Sequence, residues 1–196
     1  ILEDVMTNIV KVLGVSGSLR EGSFNTKLLH IAQDLKPAGM ELTLFSLADL
    51  PLYNQDLVTN AYPPAVEAWR DQIKQADAML FASPEYNYSV TGVLKNAIDW
   101  ASRPDVGAPP NTPHPLFNKP AAVMGAGGRF GTARGQMHLR QIAVFLNMHI
   151  LIKPEVYVSL FPQSAFDKEG NLTDDMTKKF ITDMLSELMI WSKRFQ

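Results

Sequence analysis

The chain has 196 residues, of which 46% are hydrophobic and 19% are charged, a composition that suits one domain with a sizeable core. Its formal net charge of −2 supplies no field that would concentrate nucleic acid or an anionic membrane, so neither is expected as a partner. The absence of cysteine excludes disulfides, thiolate catalysis and iron–sulfur ligation by cysteine, so any redox chemistry must be carried by a bound cofactor.

Apolar runs of strand length alternate with segments of helical spacing along the chain. The predicted strands are Ile9–Val15, Met40–Phe45, Ala78–Ala82, Ala121–Met124 and His149–Ile152, with Val156–Val158 as a candidate continuation of the last. Helical repeats of apolar residues surround Leu28, Trp69, Ile98, Leu139 and Met184. This alternation predicts an α/β fold with a parallel sheet, helices on both faces, and the first and third strands at its centre.

No internal repeat or linker divides the sequence, so residues 1–196 are predicted to form one domain, with residues 1–8 as a flexible N-terminal extension. The segment Pro104–Pro120 contains six prolines and is predicted to be a surface excursion before the fourth strand. No apolar run approaches the ~18 residues of a membrane-spanning helix, and no basic segment typical of a signal peptide is present. A cytoplasmic protein without membrane insertion is expected.

The first predicted strand breaks into a loop of glycines, hydroxyls and one arginine just before a helix begins. At the carboxyl end of a parallel strand, backbone N–H groups and a helix start can hold a phosphate. Hydroxyl groups and a permanent cation suit the same ligand. The candidate residues are Ser16, Ser18, Arg20, Ser23, Asn25 and Thr26. The competing interpretation is a glycine–serine turn in which Ser23 or Asn25 is an ordinary helix N-cap.

Two further loops follow predicted strands and precede predicted helices. Ser83–Ser89 holds two tyrosines beside proline and asparagine, which suits a planar ring, although the tyrosines could instead cover the sheet edge. Gly125–Gly131 has four glycines, which permit close approach to a ligand, and Arg129 or Arg134 could meet a second anionic group. Its alternative is a flexible connector. Because all three loops meet at one edge of a parallel sheet, they favour a ligand with a phosphate and a ring.

No side chains are arranged for catalysis in their own right. The four histidines lack metal-ligand spacing: His30, His114, His138 and His149. The aspartates form no convincing pair with a base or a nucleophile. Neither a metal site nor a catalytic side chain is therefore predicted.

Five segments are together typical of one family. They are G-S-L-R-E-G-S-F-N at Gly17–Asn25, S-P-E-Y-N-Y-S-V-T-G-V-L-K-N-A-I-D-W at Ser83–Trp100, G-R-F-G-T-A-R at Gly128–Arg134, H-L-R-Q at His138–Gln141 and K-P-E at Lys153–Glu155. With them the chain resembles the NADPH-dependent FMN reductase family of flavodoxin-like proteins, in its quinone and chromate reductase branch. The resemblance implies a flavodoxin-like three-layer sandwich with a five-stranded parallel sheet of order 2-1-3-4-5.

The resemblance also implies a cofactor and a reaction. FMN would be bound without a covalent link, with its phosphate held by the six candidates of the first loop. Its ring would lie against Pro84, Glu85, Tyr86, Asn87 and Tyr88, with Gly125, Ala126, Gly127 and Gly128 closing the other side. NADH or NADPH would deliver hydride to flavin N5 and leave. A quinone, or another acceptor such as chromate, would then accept two electrons in a ping-pong cycle.

The resemblance further implies assembly, so a homodimer or homotetramer is expected. Ala126 and Gly127 stand where relatives often carry serine, and Met137 stands where they often carry tyrosine. Two other functions use the same fold and cofactor: a flavodoxin-like electron carrier and a flavin-bound regulatory protein. Carriers tend to be strongly acidic, so a net charge of −2 favours the enzyme.

Overall fold

The computed structural model describes residues 9–195, so the predicted extension at residues 1–8 lies outside the described residues. The strands are β1 (Val10–Ser16), β2 (Met40–Phe45), β3 (Ala78–Ala82), β4 (Pro120–Gly127), β5 (His149–Ile150) and β6 (Val156–Ser159). The helices are α1 (Phe24–Leu35), α2 (Pro64–Gln75), α3 (Gly92–Ala101), α4 (Ala133–Phe145) and α5 (Asp175–Ser192), with a short 3₁₀ helix at Gln55–Leu57.

The strands form one parallel sheet of order β2-β1-β3-β4-β5, with β6 also paired to β4. Every residue of β3 is buried, as its continuously apolar sequence predicts for a central strand of a parallel sheet. The flavodoxin-like α/β fold, the strand order and the helices on both faces are thereby confirmed.

The fifth position of the sheet is shared by two short strands. The first, β5, pairs with the start of β4 at Pro120 and Ala121, and β6 pairs with its end from Met124 to Gly127. Between β5 and β6 the chain contains Pro154, which has no N–H to donate to a sheet ladder. The predicted strand His149–Ile152 is shorter than expected, since its pairing with β4 ends at Ile150, and its predicted continuation is a separate strand beyond Pro154.

The fourth strand is longer than predicted. It extends past Met124 to Gly127, because β6 offers pairing partners as far as that residue. The prediction that Gly125, Ala126 and Gly127 belong to a loop is therefore wrong, and the loop begins at Gly128. Ala126 is only 2% exposed, because β6 lies on one side of it and the Asn25 amide covers the other.

The core has two halves, one on each face of the sheet. On one face α1 and α5 bury side chains such as Leu28 and Leu185. On the other, α2, α3 and α4 bury Trp69, Trp100 and Leu139. These are the apolar stripes that the helical spacing predicts. No helix within residues 9–195 combines the length and apolar character needed to cross a membrane.

The proline-rich excursion is fastened to the core by a buried arginine. Arg70 is 2% exposed, donates to the Trp100 carbonyl (2.9 Å) and pairs with the Asp105 carboxylate (2.7 Å). Its guanidinium carbon also lies 4.2 Å from the centroid of the Tyr62 ring. Hydrogen bonding to Arg70, reinforced by Lys74, lowers the pKa of Asp105.

Candidate ligand-binding site

Three loops lie side by side at the carboxyl edge of the sheet: loop 1 (17–23) after β1, loop 2 (83–91) after β3 and loop 3 (128–132) after β4. Since β1, β3 and β4 are neighbours in the sheet, so are the loops. The Gly17 N–H donates to the Ala82 carbonyl at 2.8 Å, and the Thr91 hydroxyl donates to the Gly17 carbonyl at 2.7 Å. A Cβ at Gly17 would lie 2.3 Å from Ser83 Oγ, so the close approach of loops 1 and 2 requires glycine there.

Loop 1 is organised around the Ser16 hydroxyl. That oxygen accepts from the Ser18 N–H (3.2 Å) and from the Thr26 hydroxyl (2.9 Å), and it donates to the Ser18 carbonyl (3.3 Å). The Ser18 hydroxyl accepts from the Arg20 N–H (3.3 Å). The exposed Arg20 guanidinium donates to the Gly22 carbonyl (3.3 Å) and leaves most of its donors to solvent or a ligand.

Loop 1 leads directly into α1. Ser23 is the N-cap, and its hydroxyl accepts from the Thr26 N–H at 3.3 Å. The capping interpretation of Ser23 is therefore correct. The next N–H groups, of Phe24 and Asn25, belong to the helix start and have no carbonyl partner within the helix. Together with Arg20 they form a donor set suited to a phosphate.

Asn25 joins α1 to β4. Its side-chain amide donates to the Ala126 carbonyl (3.0 Å), and its amide oxygen accepts from the Ala126 N–H (2.8 Å). The side chain is buried, with 3% of the residue exposed. Both functions of the amide are thus engaged by the protein, and the backbone N–H of Asn25 is the group that it offers to a ligand.

Loop 2 contains a tight hairpin turn. Tyr86 and Ser89 exchange two backbone hydrogen bonds, of 3.1 and 3.0 Å. The residues between them have positive φ, 52° at Asn87 and 62° at Tyr88, the pattern of a type I′ turn. Positive φ is unfavourable for tyrosine, so the turn presents Tyr88 at some conformational cost. Tyr86 and Tyr88 are 50% and 65% exposed, which leaves their rings accessible.

Glu85 joins loop 2 to α4. Its carboxylate accepts from the Gly135 N–H (2.9 Å) in the first turn of that helix and lies 3.6 Å from an Arg134 guanidinium nitrogen. The N-cap of α4, Thr132, makes no capping bond to the helix with its own side chain. Glu85 therefore supplies the acceptor that the start of α4 needs, from another part of the chain.

The K-P-E segment is bonded to Tyr157, whose backbone and Cβ lie against Gly131 of loop 3. The Glu155 carboxylate is hydrogen-bonded to the Lys153 ammonium group and to the Tyr157 hydroxyl (2.8 Å). The bond from Lys153 lowers the pKa of Glu155. Burial, aided by Glu155, raises the pKa of Tyr157 to about 12. Tyr157 is therefore a neutral hydrogen-bond donor at ordinary pH.

Two adjoining cavities open between the loops. The first cavity, of about 400 Å³, is lined by Ser18, Arg20, Ser23, Phe24, Asn25, Pro84, Glu85, Tyr86, Ala126, Gly127, Gly128 and Leu160. The second cavity, of about 670 Å³, is lined by Glu85, Asn87, Tyr88, Gly128, Arg129, Phe130, Gly131 and Arg134. Both volumes lie in the range of small-molecule sites, and Glu85 and Gly128 form a shared wall. A phosphate donor set beside accessible aromatic rings fits FMN.

The predicted site residues do not all face one space. Most of the predicted site residues line the first or the second cavity, as given above. Ser16 and Thr26 instead line a third cavity of about 380 Å³, on the β2 side of loop 1. Gly125 lies outside all three cavities. A Cβ there would be 2.4 Å from the Ser83 carbonyl oxygen and 2.2 Å from Thr132 Oγ1, so its glycine serves packing inside the sheet. The assignment of these residues as FMN contacts stays a prediction.

Several residues of the site were not predicted. Phe24 was detectable, since it directly follows the capping serine. Phe130 belongs to a segment that the sequence singled out only for its glycines and arginines. Leu160 follows β6 and reaches the first cavity because β6 runs beside β4, a pairing that no local pattern reveals.

Comparison with known proteins identifies the family. The model of the family described as NADPH-dependent FMN reductase matches residues 10–163. An NAD(P)H-dependent FMN reductase of Pseudomonas aeruginosa is 52% identical over 192 residues, covering 97% of this chain and 100% of the relative. An NADPH:quinone oxidoreductase of Arabidopsis thaliana is 47% identical over 193 residues, which cover 96% of this chain and 94% of the relative. The solved structure of the Paracoccus denitrificans flavoenzyme FerB, an NAD(P)H:(acceptor) oxidoreductase, is 34% identical with a TM-score of 0.82, covering 95% and 99%. The chain therefore belongs to the NADPH-dependent FMN reductase family.

Proposed function

We propose that the protein is an FMN-dependent NAD(P)H:acceptor oxidoreductase that reduces quinones. The observation that carries the proposal is the pair of adjoining cavities, one with phosphate donors and one open beside it, in a chain of this family. Relatives named as an NAD(P)H-dependent FMN reductase and an NADPH:quinone oxidoreductase support the electron donor and the acceptor.

The chain's own residues bind and orient. Ser18, Arg20 and the start of α1 hold the phosphate, which fixes FMN at one end. Loop 2 and the strand end at Gly127 bound the space for the ring. When bound, FMN would supply the redox chemistry, which is to accept a hydride and pass its two electrons to the acceptor; no side chain can perform this. Glu85 is already engaged by α4, so it is not assigned a proton-transfer role.

A ping-pong order of binding is part of the proposal. The second cavity is a single space beside the first, sharing the wall at Glu85 and Gly128. A nicotinamide donor and a quinone that both need to contact the same ring would occupy this space in turn. Arg129 at its edge would also attract an anionic acceptor, which supports chromate as a further substrate.

Assembly into a homodimer or homotetramer is also proposed. Val144 and Phe145 at the end of α4 are 80% and 86% exposed, and Ile152 nearby in sequence is 73% exposed. Apolar side chains this exposed favour burial against another copy of the chain. We further propose that the described fold is one domain, since a single sheet carries both halves of its core. A cytoplasmic location stays a prediction.

An anaerobic spectral titration tests the proposal. FMN-loaded protein should show absorption near ~450 nm that bleaches when NADPH is added and returns when a benzoquinone follows. A flavin that NADPH does not bleach would favour an electron carrier instead. Bleaching over hours with a stable protein complex would favour a regulatory protein, and no uptake of FMN would contradict all three functions.

A further inference from the structure

We propose that Arg129 binds an anionic group of the redox co-substrate in the second cavity, with the 2′-phosphate of NADPH as its foremost ligand. This inference rests on the proposed function, since it assigns a residue that selects among that function's co-substrates. NADPH and NADH differ by this one phosphate, so a permanent cation at the right place is sufficient to distinguish them.

The two arginines of the second cavity differ in what holds them. Arg134 lies 3.6 Å from the Glu85 carboxylate, and its guanidinium carbon lies 4.2 Å from the Tyr88 ring centroid and 5.2 Å from that of Phe130. Its charge is balanced and its position is set by two aromatic rings. Arg134 therefore acts mainly within the protein, as a link between loops 2 and 3.

Arg129 has no such counterion. It is exposed on loop 3, and within residues 9–195 its guanidinium forms no ion pair with a carboxylate. The guanidinium carbon lies 5.5 Å from the centroid of the Phe161 ring, a contact that orients the group. A cation held against a ring face keeps its in-plane N–H donors, and those donors match the oxygens of a phosphate.

The backbone beneath Arg129 is fixed. The Ser159 hydroxyl lies within hydrogen-bonding distance of the carbonyls of Gly128 (3.1 Å) and Arg129 (3.3 Å), and the Leu160 N–H donates to the Gly128 carbonyl (2.9 Å). Loop 3 is thereby tied to the end of β6, while Arg129 itself is exposed in the lining of the second cavity. Because the backbone of loop 3 is already fixed, ordering the loop when a ligand binds Arg129 costs less conformational entropy than it would in a mobile loop.

The cavity around Arg129 suits a ligand that is both aromatic and anionic. Tyr88 and Phe130 provide ring surfaces in its lining, and the cavity adjoins the proposed FMN site. A nicotinamide dinucleotide phosphate has these features, and so does a quinone that carries a sulfonate. The shared chemistry is an anion on a ring-bearing co-substrate, and the experiment separates the two sources.

The test compares Arg129→Gln with Arg194→Gln in the FMN-loaded protein. Arg194 is a matched control because it is exposed and its guanidinium carbon lies 5.4 Å from the Trp191 ring centroid, almost the spacing found at Arg129. Arg194 also lies away from the site. It follows α5, and Met189 near the end of that helix lies beside Gly39, which precedes β2 at the amino edge of the sheet, opposite the three loops. The kcat/KM for NADPH and for NADH is measured with neutral benzoquinone as acceptor.

We expect Arg129→Gln to lower kcat/KM for NADPH by about tenfold or more, through KM, and to change that for NADH less than about twofold. Arg194→Gln should change neither. In a second arm, with NADH as donor, a naphthoquinone sulfonate is compared with the neutral naphthoquinone. A loss confined to the sulfonate would support the anion site with the acceptor as its source. Equal losses for NADPH and NADH would place Arg129 at a group that both donors share, such as the diphosphate, and would overturn its role in selecting between them. No loss in either arm would overturn the anion site itself.

A binding measurement separates this proposal from the proposed function. Calorimetry compares adenosine 2′,5′-bisphosphate with AMP, neither of which undergoes redox chemistry. We expect the bisphosphate to bind the original protein more tightly than AMP and to lose that advantage in Arg129→Gln. If the protein failed to reduce quinones but still bound the bisphosphate more tightly than AMP through Arg129, the proposed function would be refuted and the anion site would be supported. An unchanged difference in the variant would refute the 2′-phosphate as the ligand.

Discussion

The amide of Asn25 should contribute more to folding than to direct ligand contact. It bridges α1 and β4 through the Ala126 N–H and carbonyl, at 2.8 and 3.0 Å, at a site that is almost fully buried. Asn25→Ala would leave both backbone groups without their partner. A buried polar group left unpaired costs about 1–3 kcal/mol.

The magnitude follows from two such groups. Two unpaired groups would together cost about 2–6 kcal/mol, and relaxation of the structure around the substituted residue recovers part of that cost. We therefore expect Asn25→Ala to lower the free energy of unfolding by about 2–4 kcal/mol. For a chain of this length each kcal/mol corresponds to about 2–4 °C, so the melting temperature should fall by about 4–16 °C.

Urea unfolding of the protein with and without FMN measures these effects. Asn171→Ala is the control, because its side-chain amide also donates a hydrogen bond, to Asp167 at 2.9 Å, but at an exposed site. The control should lose less than about 0.5 kcal/mol. The reasoning would be refuted if Asn25→Ala kept its urea midpoint and lost FMN affinity, since the amide would then be a direct ligand of the cofactor.

Three further perturbations have defined outcomes. Arg20→Ala removes an exposed cation and no core volume, so FMN affinity in a fluorescence titration should fall about tenfold or more while the melting temperature without FMN is unchanged. Gly125→Ala would place a Cβ 2.4 Å from a backbone oxygen and should cost about 1–3 kcal/mol in urea unfolding, whereas Gly128→Ala meets no atom within 4 Å and should fold normally. Hydrogen bonding to Arg70 lowers the pKa of Asp105 below its ordinary 3.8. The stability that this pair contributes is therefore present above pH 3.8 and is lost as the pH falls through the lowered pKa. In acid unfolding, the difference in stability between the original protein and Asp105→Asn should shrink below pH 3.8.

The layers of the fold were predictable because their signals are local. Continuous apolar runs indicate buried parallel strands, and apolar stripes such as that around Leu139 indicate helices packed on a sheet. Strand order is not a local property, and here it came from the resemblance to a family. The interruption between β5 and β6 and the extension of β4 to Gly127 depend on pairing between distant segments, which sequence spacing does not show.

The site was predictable as three loops but not as a set of contacts. Each loop follows a strand, and parallel strands bring their carboxyl ends to one edge. The partner of a given side chain is set by the fold instead. Asn25 binds a backbone unit 101 positions away, and Glu85 binds one 50 positions away. Residue type predicted a phosphate contact for Asn25, and the family resemblance implied that Glu85 lies against the flavin ring. The observed partner in each case is the protein's own backbone.

These backbone partners have a consequence for ligand binding. Three bonds fix the site's loops and the elements next to them. Thr91 bonds Gly17 between loops 2 and 1, Glu85 of loop 2 bonds Gly135 in α4, and Asn25 bonds Ala126 between α1 and β4, which adjoin loops 1 and 3. All three are made between groups of the protein itself, so loop positions do not depend on a ligand to define them. A site held in this way incurs little ordering cost on binding. Residues that look like cofactor ligands in the sequence can thus raise affinity by holding the loops, whereas the phosphate contacts are proposed for Arg20 and the start of α1.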